Sequence, residues 1–264
     1  GEAALAQAMP GLLGVHIEGP HLNPAKKGIH DAAKFRAIDA QVLERLTQPT
    51  RGRRIVTLAP ELAPAGAIRA LSQAGVIVAA GHSLADYDQT VMALAEGLAG
   101  FTHLFNAMSP LHHRAPGLAG AALAHGEYAA LIPDGVHVAP GAMKVALRTI
   151  PRLFAVTDAT AAAGMPDGAY PLGNHTVTKQ GDNVFLEDGT LAGSALTMDR
   201  ALTNLLGLGL SLSEASRRLS TYPADFIGRV DRGRLQPGAW ADLVMLDPAN
   251  QLVEVVVEGE PVEV

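Results

Sequence analysis

Apolar and polar positions along this chain follow two alternating rhythms. Short apolar runs, each ending in a polar or glycine-containing turn, lie at 12–19 (LLGVHIEG), 53–61 (RRIVTLAPE), 75–83 (GVIVAAGHS), 100–108 (GFTHLFNAM), 128–138 (YAALIPDGVHV) and 153–160 (LFAVTDAT). Amphipathic stretches at 31–48, 64–74, 84–98, 115–125 and 140–150 separate them and predict helices. Strands alternating with helices predict βαβ units and a parallel sheet. Six such units are counted, whereas a closed (β/α)8 barrel has eight. The pattern therefore leaves two architectures open, a doubly wound open sheet or a barrel short of two units.

The rhythm changes after residue 165. YPLGNHTVTKQGDNVFLEDGT (170–190) alternates and turns at Gly-Asp-Asn and Asp-Gly, which predicts hairpins. Helices are expected at 197–208 and 213–228, the second opened by Ser213 with Glu214 behind it. The tail, 233–264, reads as short strands and turns, a small β module appended to the main sheet. No repeat of fixed period is present. Gly1 stands where Met would open a native chain, so residues upstream are expected; no basic, apolar and small-residue signal pattern follows.

Composition narrows the function. With 264 residues, 48% hydrophobic, the chain is long enough to bury a sizeable core. A net charge of −6 leaves no broad basic face for nucleic acid or anionic lipid, and any anionic ligand must be gripped by a few local groups. No apolar run approaches the roughly 20 residues of a membrane span. The absence of cysteine removes disulfides, thiolate metal sites and cysteine nucleophiles, and fits a reducing, cytoplasmic setting.

In a (β/α) fold the carboxyl ends of the strands carry the chemistry. Standing there are His16-Ile17-Glu18-Gly19-Pro20-His21, Gly81-His82-Ser83, Thr102-His103-Leu104-Phe105-Asn106, Asp134-Gly135-Val136-His137 and Thr157-Asp158-Ala159-Thr160. Glu18, His82 and His103 come from three strands that the fold would bring together. One carboxylate and two imidazoles suit a catalytic divalent cation. Each of the three, taken alone, fits a structural hydrogen-bonding role as well.

Asp158, before a turn of small residues, is either a turn aspartate or the carboxylate that moves a proton. His30, Arg114 and His137 lie on loops near these ends; Arg114 has the planar fork that suits a phosphate or carboxylate, and fits simple surface solvation equally well. His112, His113, His125, His175 and the pair Lys26-Lys27 read as solvated or structural. No P-loop, G-x-S-x-G elbow or G-x-G-x-x-G turn is found.

Seven ordered segments carry a resemblance: GVHIEGPHLNPAKKGIH (14–30), VTLAPE (56–61), AGHS (80–83), THLFNAM (102–108), DGVHV (134–138), VTDAT (156–160) and DGTLAGSALTM (188–198). From about residue 12 to its end, the chain resembles the N-acetylglucosamine-6-phosphate deacetylase family of the amidohydrolase superfamily. The resemblance implies a (β/α)8 TIM-like barrel, here with about six of eight units at 1–232, followed by C-terminal strands of a small β-sandwich at 233–264. It implies hydrolysis of N-acetyl-D-glucosamine 6-phosphate to glucosamine 6-phosphate and acetate in amino-sugar catabolism.

By the same resemblance Glu18, His82 and His103 would hold a divalent metal, with Zn or Fe expected at one or two ions per subunit. Asp158 would transfer the proton. Substrate contacts would fall on Ile29, His30, Asn106, Ala107, Arg114, Asp134, Gly135, Val136, His137, Leu191, Ala192 and Gly193. Arg114 would reach the phosphate of a neighbouring subunit, which implies a homodimer.

One departure is large. Family members carry a long segment ahead of the GVHIEGP-like strand, with half of the β-sandwich, the first two barrel strands and an H-x-H or H-x-Q motif; this sequence does not contain it. Two unpaired sheet edges would follow, so the isolated chain is expected to be marginally stable and weakly active. Two other readings remain open here: an amidohydrolase acting on a cyclic amide or amine, and a non-catalytic fragment that binds metal or ligand without turnover.

Overall fold

The structure, a computed structural model, describes residues 2–263. A short helix α1 (Glu2–Ala6) precedes six parallel strands: β1 (Gly14–Glu18), β2 (Arg53–Leu58), β3 (Ile77–Ala80), β4 (Gly100–Phe101), β5 (Tyr128–Leu131) and β6 (Arg152–Ala155). They pair in the order of the chain, β1 through β6. A doubly wound sheet reverses its strand order partway across. Unreversed order with right-handed crossovers puts every connecting helix on the same face, which is barrel geometry. Among the described residues, β1 and β6 each pair along one edge only.

The connecting helices are α2 (Ala40–Thr47), α3 (Ala67–Gln73), α4 (Tyr87–Ala95), α5 (Gly117–His125) and α6 (Pro140–Thr149). One continuous apolar layer forms between sheet and helices. Val56, Leu58, Val78, Leu131 and Leu153 from the strands meet Ile68, Leu71, Leu118, Met143 and Ala146 from the helices, all buried. Burying each large side chain contributes about 1.5–3 kcal/mol. The register pairs Glu18 with Thr57, Leu58 with Ala80 and Ala80 with Phe101, so the strand ends form one level rim.

Two expected helices differ in detail. The 31–48 stretch is not continuous: a 3-10 turn (Ala32–Lys34) gives way to extended chain, and Asp39 then caps α2 by accepting from the Val42 N–H at 2.8 Å. The 213–228 stretch divides into α8 (Leu212–Ser216), one π turn (Arg217–Thr221) and α9 (Tyr222–Phe226); α7 (Met198–Gly207) precedes them. Pro223 lacks the N–H that would continue an α ladder. The cap of α8 is Ser211, whose hydroxyl accepts from the Glu214 N–H, rather than Ser213. The π turn brings the buried Arg218 onto edge strand β6, where it donates to the Leu153 carbonyl at 2.8 Å.

Beyond β6, the strands β7 (Gly168–Leu172), β8 (His175–Gln180), β9 (Asn183–Phe185) and β10 (Leu191–Ser194) form an antiparallel sheet. It has a small core of its own: Ala162, Val177, Val184, Ala192 and Ala195. The tail forms a three-stranded antiparallel meander of β11 (Leu243–Leu246), β12 (Leu252–Val257) and β13 (Glu260–Val262). Arg232 is buried where this meander begins. It pairs with Asp242 and Glu258 and stacks on the Trp240 ring at 4.5 Å. No helix among the described residues is long and apolar enough to cross a membrane.

Candidate functional site

The level rim delivers three side chains to one point. Glu18 closes β1, His82 lies two residues beyond β3, and His103 lies two beyond β4. Glu18 Oε1 is 2.7 Å from His82 Nε2 and 3.0 Å from His103 Nε2, and the two nitrogens are 3.0 Å apart. Both imidazoles are about 95% buried, at 5% exposure each. The turns are tight: His82 and His103 take left-handed backbones, φ 49° and 32°, as does Asp158 at 50°. Such conformations are costly for residues with a Cβ and tend to persist where function requires them.

The electrostatics are those of a carboxylate pinned between imidazoles. Burial alone would raise the pKa of Glu18, but hydrogen bonds from His103 and His82, with His30 close by, hold it far below the usual carboxylate range. Burial likewise opposes charge on His103, yet Glu18, with Asp158 beyond it, holds its pKa above the ordinary imidazole value. His16, two residues before Glu18 on β1, is pushed down by burial against the pull of Glu18.

This donor set fits a divalent cation. One proton cannot serve all three contacts at once, and two imidazole lone pairs at 3.0 Å repel each other. A cation among one carboxylate oxygen and two imidazole nitrogens satisfies all three, and the three donors lie within 4.8 Å of one another. Ligands about 2.1 Å from a tetrahedral ion stand about 3.4 Å apart, close to the spacing observed. His82 Nδ1 meets the Lys26 carbonyl at 2.6 Å, the outer-shell contact that orients ligating imidazoles.

The other expected site residues fall in three groups. His30 joins the centre, with Nε2 3.6 Å from Glu18 Oε1 and its ring edge-on to His82 at 4.8 Å. Asp158 lies three residues beyond the end of β6, and its charge acts on both His103 and His16. Its carbonyl accepts from the Ser194 N–H at 2.9 Å, which lays the end of β10 beside it. Gly193 permits this approach: its φ is +79°, and a Cβ there would stand 2.9 Å from Thr160 Cγ2 and 3.1 Å from the Asp158 carbonyl. Leu191, Ala192 and Gly193 are thus brought to the Asp158 turn. Ala192 is fully buried in the small core, against which Ile29 also packs, so this segment offers its backbone rather than the Ala192 methyl.

A second group is bound up in its own turns. Asp134 accepts from the Val136 and His137 N–H groups at 2.9 and 2.8 Å, and its other oxygen is 2.5 Å from His137 Nδ1. Gly135 completes that turn at φ +80° and Val136 faces solvent. Asn106 donates to the His103 and Leu104 carbonyls, and the Ala107 carbonyl accepts from Ser83 N–H at 3.0 Å. Arg114 stands apart. It is exposed on the loop before α5, and its guanidinium has no partner among the described residues.

Four supporting residues had no role in the site assigned from sequence. Glu61 accepts from Asn23 Nδ2 at 2.9 Å, from Ser83 Oγ at 2.6 Å and from Leu84 N–H at 2.6 Å, tying three loops together beside His82. Its signal was the carboxylate closing VTLAPE, directly after β2. Lys26 was read as part of a solvated pair, but its backbone carbonyl orients His82. Thr57 and Thr102 had no signal, since a threonine in an apolar strand reads as ordinary β-propensity.

Comparison with known proteins gives the family. The amidohydrolase family model matches residues 1–263. The N-acetylgalactosamine-6-phosphate deacetylase of Escherichia coli O157:H7 is 40% identical over 256 residues, covering 94% of this chain and 68% of that protein. The crystal structure of N-acetylglucosamine-6-phosphate deacetylase from Pasteurella multocida superposes with a TM-score of 0.93 at 34% identity, covering 98% of this chain and 69% of that one. A mutant of the Mycobacterium smegmatis N-acetyl-D-glucosamine-6-phosphate deacetylase, in complex with N-acetyl-D-glucosamine-6-phosphate, superposes at 0.87 with 35% identity, covering 98% and 71%. The chain spans about two-thirds of the length of the curated relatives it matches. With its parallel barrel strands and a Glu-His-His cluster at their carboxyl rim, the chain belongs to the amidohydrolase family, in the group of N-acetylglucosamine- and N-acetylgalactosamine-6-phosphate deacetylases.

Proposed function

We propose that this chain carries the metal-dependent site that hydrolyses the acetamide of N-acetyl-D-glucosamine 6-phosphate to glucosamine 6-phosphate and acetate, in amino-sugar catabolism. The observation that carries the reading is the convergence of His82 Nε2 and His103 Nε2 on Glu18 Oε1 at 2.7 and 3.0 Å. These three side chains would hold the ion, Zn²⁺ or Fe²⁺, at one or two per subunit. When bound, a divalent cation acidifies water towards a pKa of about 7 and polarises a carbonyl oxygen.

The chain's own groups do the rest. Asp158 takes the proton of the attacking water and delivers it to the departing amine. His30, beside Glu18, donates to the acetamide oxygen. The backbone of Asn106 and Ala107, with Arg114, holds the phosphate, and Arg114 does so across a homodimer interface. Its exposed guanidinium, without a partner among the described residues, supports that role. The Asp134–His137 turn and the Leu191–Gly193 backbone enclose the sugar. Residues 1–232 form the barrel domain, and 233–264 contribute strands of a small β-sandwich in a cytoplasmic enzyme.

Metal analysis of the purified chain, followed by acetate release with and without a chelator, tests the proposal. Stoichiometric metal and chelator-sensitive acetate release are expected, with the C4 epimer N-acetylgalactosamine 6-phosphate as the comparison substrate. Acetate release that ignores the chelator, or a chain that binds no metal, would overturn it.

A further inference from the structure

Beneath the Glu18–His82–His103 cluster lies a second polar layer that the proposed mechanism does not use. His16 Nε2 is 2.7 Å from Thr57 Oγ1, and Thr57 Oγ1 is 2.6 Å from Thr102 Oγ1. Thr57 is wholly buried and Thr102 nearly so, and His16 closes the chain from edge strand β1. Each member adjoins a residue of the centre. His16 lies two positions before Glu18 on the same face of β1. Thr57 is the register partner of Glu18 across the β1–β2 pair. Thr102 immediately precedes His103. Gly81, immediately before His82, leaves the layer its space: a Cβ there would stand 2.9 Å from Thr57 Cγ2 and 3.0 Å from Thr102 Cβ.

The hydroxyl of Thr57 is the hinge of the arrangement. It has one proton, so it donates to one neighbour and accepts from the other. Losing it leaves the buried Thr102 hydroxyl without that partner, a penalty of the kind that reshapes local structure. His82 and His103 leave their strands through left-handed turns, so their aim follows the strand ends beneath them. We propose that Thr57 is a positioning residue: through Thr102 and His16 it holds the strand ends bearing Glu18 and His103 at the separation a divalent cation requires. The inference rests on the metal-centre reading above.

The test uses the whole metal-free chain titrated with Co²⁺ alone, read by its ligand-field absorption and by competition with a chromophoric chelator. Thermal unfolding of each metal-free variant is recorded alongside. Thr57→Val keeps the side-chain volume and removes the hydroxyl; it should bind Co²⁺ about 10–100-fold more weakly with an altered spectrum. Its metal-free melting temperature should fall by only a few degrees, as one unpaired buried hydroxyl predicts, with the transition still cooperative. Thr57→Ser should restore both affinity and spectrum, and Thr102→Val should repeat the loss from the other end of the layer if Thr57→Val does not fold. Val variants that bind Co²⁺ like the parent, or a Ser variant as weak as Val, would overturn the role of Thr57. A parent chain that binds no Co²⁺ overturns the centre itself and this layer with it.

Discussion

Lys26 fixes the ring of His82 through its backbone: the Lys26 carbonyl and His82 Nδ1 are 2.6 Å apart. A carbonyl only accepts, so Nδ1 is a proton-bearing nitrogen, and Nε2 is the one left to ligate a cation held with Glu18. The loop that supplies this carbonyl also supplies His30, which lies edge-on to the same ring. Replacing His82 with Gln, which has no nitrogen lone pair to offer, should therefore weaken metal binding by more than about 100-fold, beyond the losses typical of outer-shell changes. Metal content after dialysis against a weak chelator measures this. Full retention would remove His82 from the centre.

Asp158 is separable from metal holding. Asp158→Asn preserves the turn's shape but not a proton-accepting carboxylate. We expect kcat to fall about 10²–10⁴-fold with KM and metal content near parental values. Steady-state acetate release with metal analysis of the same sample decides it, and unchanged kcat would exclude Asp158 from proton transfer.

The exposed guanidinium of Arg114 predicts a selective defect. Arg114→Met should raise KM for the phosphorylated sugar by at least about tenfold, since a charge-assisted fork to phosphate is lost. Unfolding free energy should change by less than about 0.5 kcal/mol, as for other surface positions without partners. Equal KM values for parent and variant would argue against phosphate recognition by this residue.

Glu61 braces loops rather than touching the centre. Glu61→Ala leaves Asn23 Nδ2, Ser83 Oγ and Leu84 N–H without their acceptor. A loss of about 1–3 kcal/mol in urea unfolding is expected. Weaker metal binding should accompany it, because Ser83 adjoins His82. Parental unfolding curves would show that water replaces the brace at no cost.

The Asp134 turn carries a pH dependence with a defined sign. Burial opposes its ionisation, but His137 and the Val136 and His137 N–H groups prevail, and its pKa lies below the ordinary carboxyl value. A carboxyl depressed in the folded state stabilises the fold above its unfolded pKa and loses that contribution as pH falls through the folded one. The stability gap between parent and Asp134→Asn, measured by denaturant unfolding, should be constant near neutrality and close below about pH 4. A gap unchanged at pH 3 would contradict the assignment.

Much of this was legible in the chain because barrel strands are short apolar runs that stop at chemistry. All six runs mark a strand, and the residues at or just past the strand ends include Glu18, His82, His103 and Asp158. Strand β4 is only two residues long, yet GFTHLFNAM still marked its position. What escaped was set by tertiary contact. Thr57 and Thr102 become partners only when β2 and β4 flank β3, 45 residues apart in sequence. In the turns after β3 and β4 the left-handed positions are His82 and His103 themselves, not glycines, so their sequence did not announce them. Asp39 and Ser211, which begin α2 and α8, are caps whose use depended on how the preceding chain arrived.

The Arg232 knot has a consequence for how the tail comes apart. One cation bonds Asp242, which precedes β11, and Glu258, which follows β12, so both ends of that hairpin are tied to the same guanidinium. Peeling either end away strands a charge in a place water hardly reaches. The meander therefore opens as a whole or stays shut, and its backbone amides should trade hydrogen for deuterium in concert rather than fraying from the last strand inward.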